Sequence, residues 1–193
     1  KAFTGSTATA VGANTAVLSV SDLALTAIGY NALNACNGGD YNTAVGTYSG
    51  DGITTGNRNA SLGVWSLSAA ATDDNTGLGY YALAAFTGSN ATAIGSGAAD
   101  AATSATYLTA VGKNALGACT EGIGNTAVGA EAGAAITDGD YSTFAGYSAG
   151  QQTTGLRNTI LGALAGQFAT TTDDCIAIGV SALRAADAAG DNS

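Results

Sequence analysis

Two pairs of adjacent carboxylates, Asp73-Asp74 and Asp173-Asp174, come nearest to a catalytic arrangement in this sequence. A two-carboxylate hydrolase needs one acid held protonated beside one held ionised, and neighbouring aspartates can supply the pair. The plainer role for an aspartate at a bend is to accept main-chain hydrogen bonds and support an Asx-turn. Histidine is absent, which excludes the usual triads, imidazole acid–base catalysis and His-ligated zinc within these residues. Gly38-Gly39-Asp40 is a fragment of the calcium-binding solenoid nonapeptide. The full nonapeptide does not occur, so no metal and no cofactor is assigned, and the sequence is read as non-enzymatic. The aromatics Tyr30, Tyr48, Trp65, Tyr80 and Tyr81 crowd into one stretch, and a row of rings can stack on the sugars of a surface glycan. The same rings could instead fill a subunit seam or stack on one another.

These side chains sit on an unusual chain. Only 10% of its 193 residues are charged, 29 are glycine, and Pro, Met and His are missing. A positive mean hydropathy of +0.21 argues against a solvated disordered segment. The formal charge of −9, with five scattered cations, leaves no basic face for phosphates, so nucleic acid is not an expected partner. Gly, Thr, Asn and Asp interrupt every apolar stretch before it reaches the roughly 18 residues that span a bilayer, so membrane insertion is not expected either.

What positions the side chains is a repeat. An Asn-Thr-Ala-Val-Gly motif, or a close relative, places glycine at 12, 29, 46, 63, 79, 95, 112, 129, 146, 162 and 179, always 16 or 17 residues apart. Such a coil is too short for a helix and a strand with their loops; it fits two or three short strands joined by turns, in an all-β parallel β-solenoid of eleven coils. The turn clusters Gly38-Gly39-Asp40, Thr72-Asp73-Asp74, Asp138-Gly139-Asp140 and Thr172-Asp173-Asp174 fall where the bends are needed. At the strand spacing of about 4.8 Å, eleven coils make a rod about 50 Å long.

Each column of the repeat predicts a role. One residue before the glycine stands an aliphatic ladder, from Val11, Ile28 and Val45 to Leu161 and Ile178, expected to point into the core. Three before it is Thr in most coils, sharing a strand face with the aliphatic residue and so expected to point partly inward. The glycine marks a close approach that a Cβ would block. Three residues beyond it every coil carries Ala, Ser or Thr; Leu33, Leu67, Leu83, Leu116 and Leu183 follow, and then Cys36, Ile53, Phe86, Cys119 and Ile136 supply the opposite core wall.

A longer repetition overlies the coil. Five places before the glycine, Tyr41, Arg58 and Asp74 match Tyr141, Arg157 and Asp174, so the rod grew by duplicating blocks of coils. In register, the arginines fall between acidic coils and predict a ladder of ion pairs along the turn face. Cys36 and Cys119 share a column five coils apart, roughly 24 Å, which is too far for a disulfide. Free buried thiols suit assembly in a reducing compartment.

The runs Asn42-Thr43-Ala44-Val45-Gly46, Asn125-Thr126-Ala127-Val128-Gly129 and Leu25-Thr26-Ala27-Ile28-Gly29-Tyr30-Asn31-Ala32-Leu33 resemble the N-T-A-[VI]-G-x-x-A-L repeats of phage tail fibres. They also look like the S-x-A-I-G repeats in the heads of trimeric autotransporter adhesins. The resemblance covers essentially all 193 residues and implies a homotrimer of left-handed parallel β-rolls, fibrous and receptor-facing. Autotransporter-head coils are nearer about fourteen residues, and the stalk and anchor that follow such a head have no counterpart here, which favours the phage-fibre resemblance.

The expected function is therefore a rigid segment, residues 1–193, of a longer tail fibre on a virion, alternatively of an adhesin on a bacterial cell surface, with other fibre proteins and a host glycan as partners. An ice-binding solenoid is the alternative of a different class, disfavoured by the expected inward tilt of the Thr column. The acidic turns are the sole support for a polysaccharide-degrading one. Both ends are expected to be uncapped. In a homotrimer, the small column at Ala10, Ala27, Ala44, Ala93, Ala110, Ala127 and Ala177 would let three chains approach one axis, with Phe144 and Ile160 as larger contacts.

Overall fold

The computed structural model describes residues 8–16 and 24–184. Each motif becomes one short strand: β1 (Ala8–Val11), β2 (Leu25–Ile28), β3 (Thr43–Val45), β4 (Ala60–Leu62), β5 (Thr76–Leu78), β6 (Thr92–Ile94), β7 (Thr109–Val111), β8 (Thr126–Val128), β9 (Thr143–Ala145), β10 (Thr159–Leu161) and β11 (Ile176–Ile178). All eleven lie side by side in chain order in a single parallel sheet, so the protein is an all-β solenoid. Column falls on column: Thr26 pairs with Thr43, Ala27 with Ala44 and Ile28 with Val45.

Among the described residues each coil carries one strand, not two or three. Beyond the strand the main chain turns left-handed at three columns: two residues after the glycine (Tyr48, φ 55°; Trp65, φ 60°), four after it (Leu33, φ 48°; Leu67, φ 47°) and five before it (Tyr41, φ 59°; Arg58, φ 56°). Among the described residues no further strand forms between such bends, and the bridge of Thr106 with Ile123 is isolated. Neighbouring coils still exchange main-chain hydrogen bonds there, as from Leu33 N–H to Ser49 C=O (3.1 Å) and from Tyr48 N–H to Tyr30 C=O (2.9 Å). Being held from both sides keeps bulky residues in a conformation they otherwise avoid.

The motif glycines do what their column predicts. At Gly29 (φ +136°) a Cβ would stand 2.5 Å from the Gly46 carbonyl oxygen, and at Gly46 one would stand 2.6 Å from that of Gly63. Each glycine therefore seats the next coil's main chain directly against its own.

The two strand faces are the reverse of the expectation. Ala27, Ala44, Ala93, Ala110 and Ala127 are fully buried, while the aliphatic ladder points outward, with Val11 57%, Leu62 51% and Val128 46% exposed. The reason is volume. The opposite wall sends Leu33, Leu67, Leu83, Leu116, Ile53, Phe86 and Ile136 across a thin coil, all completely buried, and beneath them the strand has room for little more than a methyl group. Phe144 and Ile160 confirm the rule by exception: both are fully buried, and glycines face them. A Cβ on Gly133 would come within 2.7 Å of the Phe144 ring, and one on Gly166 within 2.7 Å of Ile160 Cδ1. The alanine column is thus the floor of the core and is not available for subunit contact.

The asparagine of the motif builds an internal ladder. Asn42 Oδ1 accepts the Asn59 main-chain N–H (2.9 Å), Asn59 Oδ1 that of Asn75 (3.0 Å) and Asn75 Oδ1 that of Ala91 (3.0 Å). Their amides reach across the coil to main-chain carbonyls, Asn42 to Gly56 (2.7 Å) and Asn59 to Thr72 (2.6 Å). A buried polar side chain is stable here because it closes the bend and joins two coils at once. The expectation about end caps concerns residues 1–7 and 185–193, which lie outside the described residues.

Candidate functional site

The alternation that buries the alanines carries three columns outward together: three residues before the glycine, one before it and one after it. Thr26-Ile28-Tyr30, Ala60-Leu62-Val64, Thr76-Leu78-Tyr80 and Ile176-Ile178-Val180 are four rows of this strip. Most of the exposed large apolar side chains lie on it, among them Val64 (39%), Tyr80 (57%), Tyr147 (58%) and Val180 (77%). Lys113 is the single charged residue in the three columns. The threonines face the same way as the aliphatic ladder, as expected, but that way is outward. The inward tilt that counted against ice binding is therefore absent.

The aromatic ladder runs along the edge of the strip, taking Tyr30 and Tyr80 from its outermost column and Tyr48, Trp65 and Tyr81 from the column beyond. Tyr48 and Trp65 stack face to face, ring centroids 4.0 Å apart and planes 8° from parallel. Tyr30 meets Tyr48 edge-on at 5.4 Å, Trp65 leads on to Tyr81 at 6.3 Å, and Tyr80 packs edge-on against Tyr81 at 4.5 Å. All five sequence-predicted rings are brought together, but the faces of Tyr48 and Trp65 are spent on each other along the rod axis. Tyr30 and Tyr80 are the more exposed rings of the ladder, at 44% and 57%. Below the ladder, Asn31 Oδ1 and Asp51 Oδ1 are closed off from solvent without a hydrogen-bond partner. Burial pushes the Asp51 carboxyl up to about 6, against the opposing pull of its own N–H and that of Gly52.

The turn face holds the ion pairs. Arg58 grips Asp74 with Nε to Oδ1 at 2.6 Å and Nη2 to Oδ2 at 2.9 Å, and reaches Asp73 at 3.4 Å. Arg157 grips Asp174 in the same way, at 2.5 and 2.8 Å. Asp73 Oδ1 accepts the Asn57 N–H (2.8 Å) and Asp173 Oδ1 that of Leu156 (2.8 Å), so one aspartate of each pair braces a bend and the other holds an arginine. The Asn57 main-chain hydrogen bond lowers the Asp73 pKa and the Arg58 hydrogen bond that of Asp74. An acid–base pair needs one of its carboxyls raised, and this pair has both held in the ionised form.

Cys36, Cys119 and Cys175 are buried and in no disulfide, and burial raises the Cys119 and Cys175 thiols above their ordinary value. Among the described residues no group of three or more His, Cys, Asp or Glu is placed to hold a metal, and no helix is long and apolar enough to cross a membrane. Sequence reasoning missed the outward strip as a site, although its columns were all legible. No protein-family model, curated protein or solved structure matches this chain.

Proposed function

We propose that this solenoid is a stiff structural segment of a trimeric fibre, of the phage tail-fibre kind, in which three parallel copies pack through the Thr/aliphatic strip and carry surface-binding groups along their flanks. The observation that carries this reading is the strip itself. At about 4.8 Å per coil it runs about 50 Å, and five residues across give it a width of about 14 Å. Its area, on the order of 700 Å², exceeds the apolar patch a soluble monomer usually leaves open and approaches the roughly 800 Å² per partner of a stable interface. Identical column spacing on every copy lets parallel chains mesh row by row. The fibre would be part of a virion, or in the related arrangement part of a bacterial surface adhesin, with a host glycan as its distal partner. Sedimentation velocity at micromolar concentration tests the assembly: a trimer is expected, and a stable monomer overturns it.

A second reading has one specific observation in its favour. Thr9, Thr26, Thr43, Thr76, Thr92, Thr109 and Thr126 stand in file on the outer face of one continuous sheet, a regular hydroxyl-and-methyl surface able to order water on an ice face. Thermal hysteresis with ice shaping by the monomer would favour it over the fibre.

A further inference from the structure

We propose that Tyr41–Arg58–Asp74 and Tyr141–Arg157–Asp174 are two equivalent binding units for a neutral polysaccharide chain lying along one edge of the rod. The inference deepens the surface-binding part of the proposed function and is independent of how many copies assemble.

Both units occupy the column five residues before the motif glycine, in three successive coils, and the second repeats the first six coils further along the rod. In each, the middle arginine is clamped by the following aspartate through two hydrogen bonds, so a planar, rigid array of donors and acceptors stands beside the tyrosine row. Tyr41 and Tyr141 are 57% and 64% exposed. Among the described residues neither is paired with another aromatic ring, unlike the five rings of the aromatic ladder, so each keeps ring surface for a ligand. Their backbone is left-handed, at φ 59° and 54°, a conformation that resists a bulky side chain. Asn90 and Gly124 fill the same column in other coils at φ 60° and 68° and suit it better. The Tyr141 ring rests over Gly124, where a Cβ would stand 2.9 Å from its Cδ1, and still leaves most of its surface open; Tyr107, 67% exposed, adds a third ring to the same line.

An exposed ring next to fixed, coplanar donors and acceptors matches a pyranose, whose C–H face stacks on the ring while adjacent hydroxyls bridge a guanidinium and a carboxylate. The partner is neutral because each arginine's charge is already cancelled by its aspartate, and a net charge of −9 repels an acidic polymer. Six coils separate the units, roughly 29 Å, so a long chain can engage both while a short oligosaccharide engages one.

Affinity electrophoresis in gels containing dextran, mannan, galactomannan or hyaluronan tests this. At least one neutral polymer should retard the protein, and hyaluronan should not. Tyr41→Ala or Tyr141→Ala should each weaken the retarding interaction about tenfold or more through lost bivalency, and the double variant should abolish it with far-UV circular dichroism unchanged. No retardation by any neutral polymer overturns the proposal, as does retardation by hyaluronan alone or equal retardation of the double variant. Loss on Trp65→Ala with the tyrosine variants unaffected would move the site to the aromatic ladder and likewise overturn it. Sedimentation of the same samples reads assembly separately, so failure of the trimer and failure of the binding units are told apart.

Discussion

Asn42 and Asn59 lie one above the other inside the rod, and the side-chain oxygen of the first accepts both the main-chain N–H (2.9 Å) and the side-chain amide (3.1 Å) of the second. A bond of this kind replaces solvent for a group that no water reaches. Asn59→Ala leaves the Asn75 N–H and the Thr72 carbonyl without partners, and the expected loss is about 2–4 kcal/mol. Chemical denaturation followed by circular dichroism measures it, and a loss below about 0.5 kcal/mol would show that the ladder is not what joins the coils.

Gly46 and Gly117 separate crowding from flexibility. A Cβ on Gly46 would meet the Gly63 carbonyl oxygen at 2.6 Å with φ at +134°, whereas one on Gly117 would meet nothing closer than 3.3 Å. Gly46→Ala should therefore open the stack and yield rapid proteolysis within coils three and four, while Gly117→Ala should leave cleavage unchanged. Limited proteolysis with mass-spectrometric mapping distinguishes the two, and equal resistance would contradict the close approach.

Asp51 predicts a pH dependence. Its folded value of about 6 lies above the ordinary 3.8 because burial disfavours the charge. The folded state therefore holds the proton more tightly, so this contribution to stability is complete below about pH 4 and is lost as pH rises through about 6. Partial solvent access reduces the effect to about 1 kcal/mol, or roughly 2–4 °C. Asp51→Asn should flatten the slope of melting temperature between those pH values and raise the midpoint at pH 7. An unchanged slope would mean the carboxyl is better solvated than its surroundings indicate.

Leu62 and Val128 test the strip without touching the core. Both side chains are about half exposed, at 51% and 46%, so Leu62→Glu with Val128→Glu should cost the single chain less than about 1 kcal/mol. In the assembled fibre the same charges would be buried unpaired, and sedimentation should show monomer in place of trimer. A trimer that survives both substitutions would place the interface elsewhere.

Much of this protein was readable from one chain. The 16- and 17-residue spacing fixes one coil per motif, because a glycine that must touch the next coil's main chain, as Gly29 touches Gly46, can occur only once per turn of the solenoid. The pairing of Arg58 with Asp74 and of Arg157 with Asp174 follows from the columns alone, since residues at equal offsets must stack. The wall formed by Leu33, Ile53, Phe86 and Ile136 was likewise legible.

Only the tertiary structure decided which face of the strand is inside. Alternation in Thr-Ala-Val separates two faces but does not orient them, and the usual preference for burying the larger side chain is overridden where the opposite wall already fills the coil. The exchange of Phe144 and Ile160 for alanine opposite Gly150 and Gly166 was the sequence's one sign of it, visible once the two columns are known to face each other. The left-handed turns at Tyr48, Trp65 and Leu67 were hidden for a related reason: local preference favours Gly, Asn or Asp there, but hydrogen bonds from the coils on both sides hold the main chain whatever its side chain. Sequence determined the stack and its register, and packing across a thin core determined the surface it presents.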